Sequence, residues 1–403
     1  MANTFKFGNG QWAVGKETAL AYNDENNNFK PLPFSFDRAS TATVVNKDGL
    51  IETVGVDEPR IDFLNNTKGH LLLEPSRQNI LTYSEDLSQW SKSNTTTQSN
   101  SSTSPDGTQN ATKIIANNGS TNNRIFISGI SYNGTYSLSV FGKANGANSI
   151  ILGGQAAGFS AEFNLNTGTV VSETNSNANI INYGNGWYRC VVVATATATG
   201  QFLINLIETG DGTSGVLLWG AQLEAGSYAT SIIPTSGSAV TRSAETGVDC
   251  LLPNETIIDN STATVYLEFE ALVNDASNRW ISFEEVGVAS DNQFEIRLAA
   301  ASNLIQIVTR SAGGGQDVTM SERLTDITAN NKIAFNYDGL NWKLAVNGSV
   351  TDTATAARLF NDDIEKIKFS RYTNTNHFYG KVKDLKVYNT ALSDSELQAL
   401  TSN

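Results

Sequence analysis

At 403 residues the chain is long enough for two or three domains of ~150 residues each. Its hydrophobic fraction is 39% and its charged fraction only 17%; Asn, Ser, Thr and Gly carry the polarity, which suits turns and solvated strand faces better than long exposed helices. A formal net charge of −13 without any Lys/Arg cluster interleaved with aromatics argues against nucleic acid as a partner and gives an acidic surface the plain role of solubility.

Residues 1–75 are the least regular. Arg38-Ala-Ser-Thr-Ala-Thr-Val-Val45 alternates, Asn46-Lys47-Asp48-Gly49 supplies a turn, and Leu50-Ile51-Glu52-Thr53-Val54 returns, so a hairpin is expected. Pro59-Arg60-Ile61-Asp62-Phe63 and Gly69-His70-Leu71-Leu72-Leu73-Glu74 make a second extended pair. The region is too short to bury a core alone and is expected to dock on a neighbouring domain, a sister chain or a larger particle.

Residues 76–236 read as one β-domain. A polar run from Ser91 to Thr103 is expected as an exposed loop. After it, Thr135-Tyr-Ser-Leu-Ser-Val-Phe141, Ala161-Glu-Phe-Asn-Leu165, Trp187-Tyr-Arg-Cys-Val-Val-Val193 and Gly215-Val-Leu-Leu-Trp219 alternate between turn signals, the pattern of a sandwich. Residues 237–262 read as a linker, with Pro253-Asn254-Glu255-Thr256 marking a turn.

From Ala263 to Asn403 the pattern restarts. Val265-Tyr-Leu-Glu-Phe-Glu-Ala271, Phe294-Glu-Ile-Arg-Leu298, Leu304-Ile-Gln-Ile-Val308, Lys332-Ile-Ala-Phe-Asn-Tyr337 and Lys381-Val-Lys-Asp-Leu-Lys-Val-Tyr388 all alternate, and Asn347-Gly348 marks a tight hairpin. Ser393-Asp-Ser-Glu396 has the spacing of a capping box and opens the one expected helix, with Leu397 and Leu400 facing inward. The fold class is therefore all-β: an N-terminal hairpin region followed by two β-sandwich, jelly-roll domains.

The chemistry-bearing residues are few. Cys190 and Cys250 stand far apart and make neither a metal spacing nor a disulfide framework, which fits assembly in a reducing cytoplasm. The N-terminus lacks the pattern of a signal peptide, and no apolar run approaches the ~18 residues of a membrane span, so membrane insertion is not expected. With only His70 and His377 and no Gly-x-Ser-x-Gly elbow, a Ser-His-Asp mechanism has little to stand on. Glu268 and Glu270 point the same way on one strand, yet glycoside hydrolysis needs two carboxyls facing one cleft, and a solvated strand face is the simpler reading. No catalytic residue and no cofactor is assigned; Asp291 and Asn292 could join a calcium site, but two oxygen ligands do not make one. Sugar rings stack on aromatic side chains while amides read their hydroxyls, so Trp280, beside Asn278 and Arg279, and the run Tyr372-Thr373-Asn374-Thr375-Asn376-His377-Phe378-Tyr379 are the candidate ligand contacts: Trp280, Tyr372, Asn374, Asn376, His377 and Tyr379.

Two stretches in the last domain resemble the concanavalin/laminin-G-like jelly rolls: Phe335-x-Tyr337-x-Gly339-x-x-Trp342 with Val346-Asn347-Gly348, and Gly380-x-Val382-x-Asp384-Leu385-x-Val387-Tyr388 followed by Ala391-Leu392-Ser393 and Glu396. Upstream, Arg38-Ala-Ser-Thr-Ala-Thr43, Asp48-Gly49-Leu50-Ile51-Glu52, Pro59-Arg60-Ile61-Asp62 and Leu72-Leu73-Glu74-Pro75-Ser76-Arg77-x-Asn79 resemble an N-terminal module of bacteriophage tail and head fibre proteins. Trp187-Tyr188-Arg189, Trp219-Gly220-Ala221-Gln222-Leu223-Glu224-x-Gly226, Ser231-x-Ile233-Pro234-Thr235 and Thr241-Arg242-Ser243-Ala244 resemble that group's carbohydrate-binding-module-like sandwich. The resemblance implies a virion protein assembled in the host bacterial cytoplasm. It further implies a homotrimer joined to other virion proteins through residues 1–75 and displaying lectin-like domains toward host surface polysaccharide. A purely structural head or tail component is the alternative, and a glycan depolymerase the third.

Overall fold

In the computed structural model, residues 5–15, 18–23, 28–251, 257–285, 293–299, 301–310, 316–357 and 364–402 are described. The period-two segments become antiparallel strands, and they sort into two units. One comprises residues 1–41, 54–75 and 244–403; the other comprises 42–53 and 76–243. These units cut across the boundaries read from sequence at 75, 236 and 262. The N-terminal segment contributes strands to both units, which follows from its lack of a core of its own.

The second unit is organised by its two longest strands, Asn123–Asn145 and Tyr188–Leu206, which pair along their whole length from Asn123↔Leu206 to Gly142↔Tyr188. A register shift between Ser128 and Ile130 bends the pair. One end of Tyr188–Leu206 pairs with Ser149–Gln155 and the other with Asn177–Asn182, so the long pair contributes to both layers of one ten-stranded sheet. Between them lie Ile125, Leu138, Val140, Phe163, Phe202 and Leu218, all fully buried. The hairpin Ala42–Val45 with Ile51–Val54 turns at Gly49, whose φ of +78° glycine adopts without strain.

Two expectations are corrected here. Ser91 to Thr103 is not a loop: Ser91–Ser93 and Thr95–Ser102 are strands, the second paired with Ala111–Ala116. An edge strand can expose both its faces, so a run too polar to bury still pairs when its neighbour supplies the apolar residues, here Ile114 and Ile115. The stretch 237–262 also contains strands: Val240–Arg242 pairs with Arg77–Asn79, and Thr246–Leu251 pairs with Asn28–Asp37 and Lys366–Lys368. The turn expected at Pro253–Thr256 lies outside the described residues.

Buried polar side chains explain why the short motifs of this unit have the residues they have. Asn79 donates to the carbonyls of Ala221 and Ile233 at 3.1 and 2.9 Å, and its oxygen accepts from the amides of Leu81 and Leu223 at 3.2 and 3.1 Å. Glu224 accepts from the Thr230 amide and hydroxyl, each at 2.7 Å, while Arg242 donates to Thr230 Oγ1 at 3.1 Å.

In the first unit, five strands form one layer in the order Ser349–Thr355, Asn341–Val346, Asn331–Asp338, Thr262–Ala271 and Gly380–Tyr388. The facing layer runs Gln316–Arg323, Leu304–Arg310, Gln293–Leu298, Arg279–Glu284, Lys366–Lys368 and Thr246–Leu251. Val265, Phe269, Phe283, Phe294, Phe335 and Trp342 belong to one core between the layers. N-terminal strands join the layers along one side: Phe5–Gly8 lies against Gly380–Tyr388, Thr18–Asn23 against Asn28–Asp37, and the latter against Thr246–Leu251.

The same segment carries a buried charge network. Arg60 Nε and Nη1 donate to Glu245 at 2.7 Å and to Glu74 at 2.8 Å, and Arg38 Nη1 reaches Glu245 at 3.2 Å. Burial opposes the charge on Arg60, but Glu245 and Glu74 outweigh it and raise its pKa.

The C-terminal helix Asp394–Thr401 forms where expected, with Glu396 accepting from the Ser393 amide at 2.8 Å and hydroxyl at 2.7 Å. Leu397 packs on Tyr266, Ala334 and Ala345, so the helix covers the outward face of the first layer. The second layer has the other outward face, which carries Trp280, Ser282, Glu295 and Arg297.

Candidate functional site

Along Arg279–Glu284 and Gln293–Leu298, Ile281, Phe283, Phe294 and Ile296 point into the core. By alternation Trp280, Ser282, Glu295 and Arg297 share the opposite face, with Trp280 opposite Arg297 and Ser282 opposite Glu295. Arg297 Nε donates to Glu295 at 2.8 Å, and its guanidinium lies 4.3 Å from the Trp280 ring centroid.

The segment from Ser370 to Tyr379 crosses beside this face. The Trp280 amide donates to the Asn376 carbonyl at 2.9 Å, and Trp280 bridges to His377 in parallel. Arg371 closes a turn by donating from its amide to the Thr375 carbonyl at 2.8 Å. Asn374 and Asn376 take φ values of +58° and +50°, which asparagine tolerates better than most residues. Phe378, buried against Phe269 and Phe369 at 6.2 and 6.3 Å, anchors the segment to the core.

This arrangement concentrates positive charge on an acidic protein. The Arg371 guanidinium lies 4.6 Å from the Trp280 centroid and 4.9 Å from that of Tyr372, and no carboxylate among the described residues pairs with it. Lys368, only 4% exposed, donates to the Tyr372 carbonyl at 3.2 Å and to Asn374 Oδ1. His377 is held neutral more strongly than usual: burial lowers its pKa, Asp249 opposes this and Lys368 adds to it.

Of the sequence-derived candidates, the structure gathers Trp280, Tyr372, Asn374, Asn376 and His377 into one cluster, and Tyr379 joins through His377 with ring centroids 5.9 Å apart. Trp280 differs from the expectation of an open stacking platform. It is 7% exposed and two arginines lie over its ring, so Asn374 and the half-buried Tyr372, Asn376, His377 and Tyr379 are the parts that face solvent. Arg297, Glu295, Arg371 and Lys368 were missed by sequence reasoning. The alternation of Phe294-Glu-Ile-Arg-Leu298 placed Glu295 and Arg297 on one face, but nothing local tied them to Trp280.

Glu268 and Glu270 lie on the other layer. Glu270 pairs with Lys381 at 3.0 Å and Lys383 at 2.5 Å. Burial raises the Glu270 pKa, but the lysines outweigh it and the net shift is downward, so this group is held ionised and is unsuited to donating a proton. Glu268 accepts from Asn330 Nδ2 at 2.9 Å and from the Tyr266 hydroxyl at 3.2 Å. His70 is buried in the strand His70–Leu73, and Cys190 and Cys250 are buried thiols whose pKa values burial raises, to about 12 for Cys250. Asp291 and Asn292 lie outside the described residues, and among the described ones no group of His, Cys, Asp and Glu gathers in a metal-binding arrangement.

Residues 245–398 match the family model of the concanavalin A-like lectin/glucanases superfamily, and this part of the chain has the two-layered β-sandwich of a jelly roll. Curated protein sequences give no match. Among solved structures, the chain is similar to the carbohydrate-binding module CBM40 of the Ruminococcus gnavus IT-sialidase, seen with α2,3-sialyllactose. The likeness is at 20% identity over 36% of this chain and 84% of that one, with a TM-score of 0.32. NanB sialidase from Streptococcus pneumoniae is similar at 20% identity over 38% of this chain and 27% of that one, TM-score 0.31. The receptor-binding domain of botulinum neurotoxin type G is similar at 17% identity over 35% of this chain and 37% of that one, TM-score 0.28.

Proposed function

We propose that this chain is a non-catalytic surface protein of a bacteriophage virion, a fibre or decoration protein whose C-terminal jelly roll binds host surface glycan at the cluster of Trp280 and residues 371–379. The observation that carries the reading is Arg371: a cation that pairs with no carboxylate among the described residues, held between two aromatic rings and flanked by the exposed amide of Asn374 and the half-buried Asn376. A positioned cation beside amides and ring edges can bind sugar hydroxyls and acidic substituents without doing chemistry on them. The ionised, lysine-paired Glu270 supports a binding role over hydrolysis. The virion assignment rests on the resemblance of the motifs between residues 38 and 244 to phage fibre proteins, as do the homotrimer and the attachment of residues 1–75 to other virion proteins.

Arrays of bacterial surface polysaccharides probed with the whole chain test this. Binding that falls at least about tenfold in Arg371→Gln with an unchanged melting temperature is expected. Retention of no glycan by the wild-type chain favours the second reading, a purely structural component. That reading draws on the burial of Trp280 under two arginines, the packing of a surface that satisfies itself. A monodisperse monomer in light scattering at micromolar concentration would remove the trimer.

A further inference from the structure

The unit formed by residues 42–53 and 76–243 has a groove of its own on the outward face of one sheet. Its walls come from three neighbouring strands in register: Arg124 faces Asn205, Asn205 faces Ile151, and Leu203 faces Gly153. Side chains on this face alternate with the core residues Ile125, Leu152, Phe202 and Ile204, so they point away from the hydrophobic interior. The open space is about 400 Å³, within the ~300–1,000 Å³ typical of small-ligand sites. Ile151 and Leu203 supply an apolar floor.

The polar groups around that floor are only partly spent, and the Arg124 guanidinium lies 5.5 Å from the Phe126 ring centroid. Arg124 Nη1 donates to Gln155 Oε1 at 3.3 Å, but its buried Nε has no acceptor, and no carboxylate among the described residues pairs with the guanidinium. Asn205 Oδ1 is likewise buried without a donor. A buried polar atom left without a partner costs about 1–3 kcal/mol, so neighbouring groups of complementary type, one cationic donor and one acceptor, are worth keeping only where something else satisfies them. Gln155, Ser160 and Gly158 at the exposed rim leave the groove open to solvent.

We propose that this groove is a second glycan site, specific for a carboxylate-bearing sugar. The carboxylate of the sugar takes the Arg124 guanidinium, a ring hydroxyl donates to Asn205 Oδ1, and the C–H face of the ring lies on Ile151 and Leu203. Neutral sugars can fill the floor but leave Arg124 unpaired in a partly desolvated place, so charge is the discriminating feature. The site is independent of the Arg371 cluster and stands whether or not that cluster binds glycan.

The test uses the whole chain and a panel of uronic-acid disaccharides (glucuronic, galacturonic and mannuronic) beside their neutral counterparts, followed by calorimetry and by the side-chain N–H signals of Arg124 and Asn205. One or more acidic disaccharides should bind at least about tenfold more tightly than the neutral partner, shifting both signals. Arg124→Gln should lose that preference while binding of neutral sugars is unchanged, and Asn205→Ala should weaken acidic and neutral sugars alike. All of these measurements are made in the Arg371→Gln background, which removes the acidic-sugar contact of the jelly roll and leaves this groove to account for the preference. Equal binding of acidic and neutral sugars, or an acidic preference that survives in Arg124→Gln, overturns the proposal. So does a panel that leaves both signals unmoved at millimolar concentration.

Discussion

Glu245→Gln is the sharpest probe of how the first unit is held together. Arg38, Arg60, Glu74 and Glu245 are 1%, 0%, 3% and 4% exposed, and their two positive and two negative charges balance. One Glu245 oxygen accepts from both arginines at 3.2 and 2.7 Å, and the other accepts from the Glu74 amide at 2.8 Å. An amide can accept at only one of these ends, so the substitution leaves either two guanidinium groups or a backbone N–H facing an NH2 group. It also removes a negative charge from beside two buried arginines. Breaking a buried ion pair from one side costs about 3–5 kcal/mol. For a unit of roughly 220 residues, at about 2–4 °C per kcal/mol, this lowers the melting temperature by about 6–20 °C. Because the chain has two units, a single melting curve is not enough; hydrogen exchange by mass spectrometry should show residues 54–75 losing protection while 123–145 keep theirs. A shift below about 2 °C would refute the reasoning, since it would mean that the charges are already solvated.

Burial, and after it Lys381, pushes the His70 imidazole from 6.5 down to about 3, so below pH 6.5 the unfolded chain takes up a proton that the native chain refuses. The stability this gives is whole above pH 6.5 and falls by about 1.4 kcal/mol per pH unit as the pH drops toward 3; urea unfolding from pH 7.5 to 4 should show a shallower decline for His70→Gln than for the wild type, and parallel curves would contradict this. Asn79→Ala removes four hydrogen bonds and should destabilise the second unit by about 3–4 kcal/mol, read from hydrogen exchange across residues 215–225. Ser393→Ala opens the capping box and should cost about 1 kcal/mol, seen as faster amide exchange confined to residues 394–401.

Much of the fold was legible because its determinants are local. Alternation along Val265–Ala271 and Lys381–Tyr388 fixes which side chains are buried, Asn347-Gly348 fixes a turn, and Ser393 with Glu396 fixes a helix start. The polar run from Ser91 misled because composition reports burial, and an edge strand can pair without it. The stretch 237–262 misled because its strands are short and pair with segments far away in the chain.

The binding cluster was half legible. Residue type alone nominated Trp280 and the 372–379 run, and the structure places them side by side through the Trp280 amide and the Asn376 carbonyl. No pattern in the sequence indicated that Arg297 and Arg371 would lie over the same ring, because the residues are 74 positions apart and meet only through strand order. The charge network shows the same division. The sequence by itself determined that Arg38, Arg60 and Glu74 occur within short recognisable motifs. Only the tertiary structure added Glu245 and made the four of them one neutral cluster, because a charge survives burial only beside its opposite, and which opposite lies beside it is settled by the path of the chain.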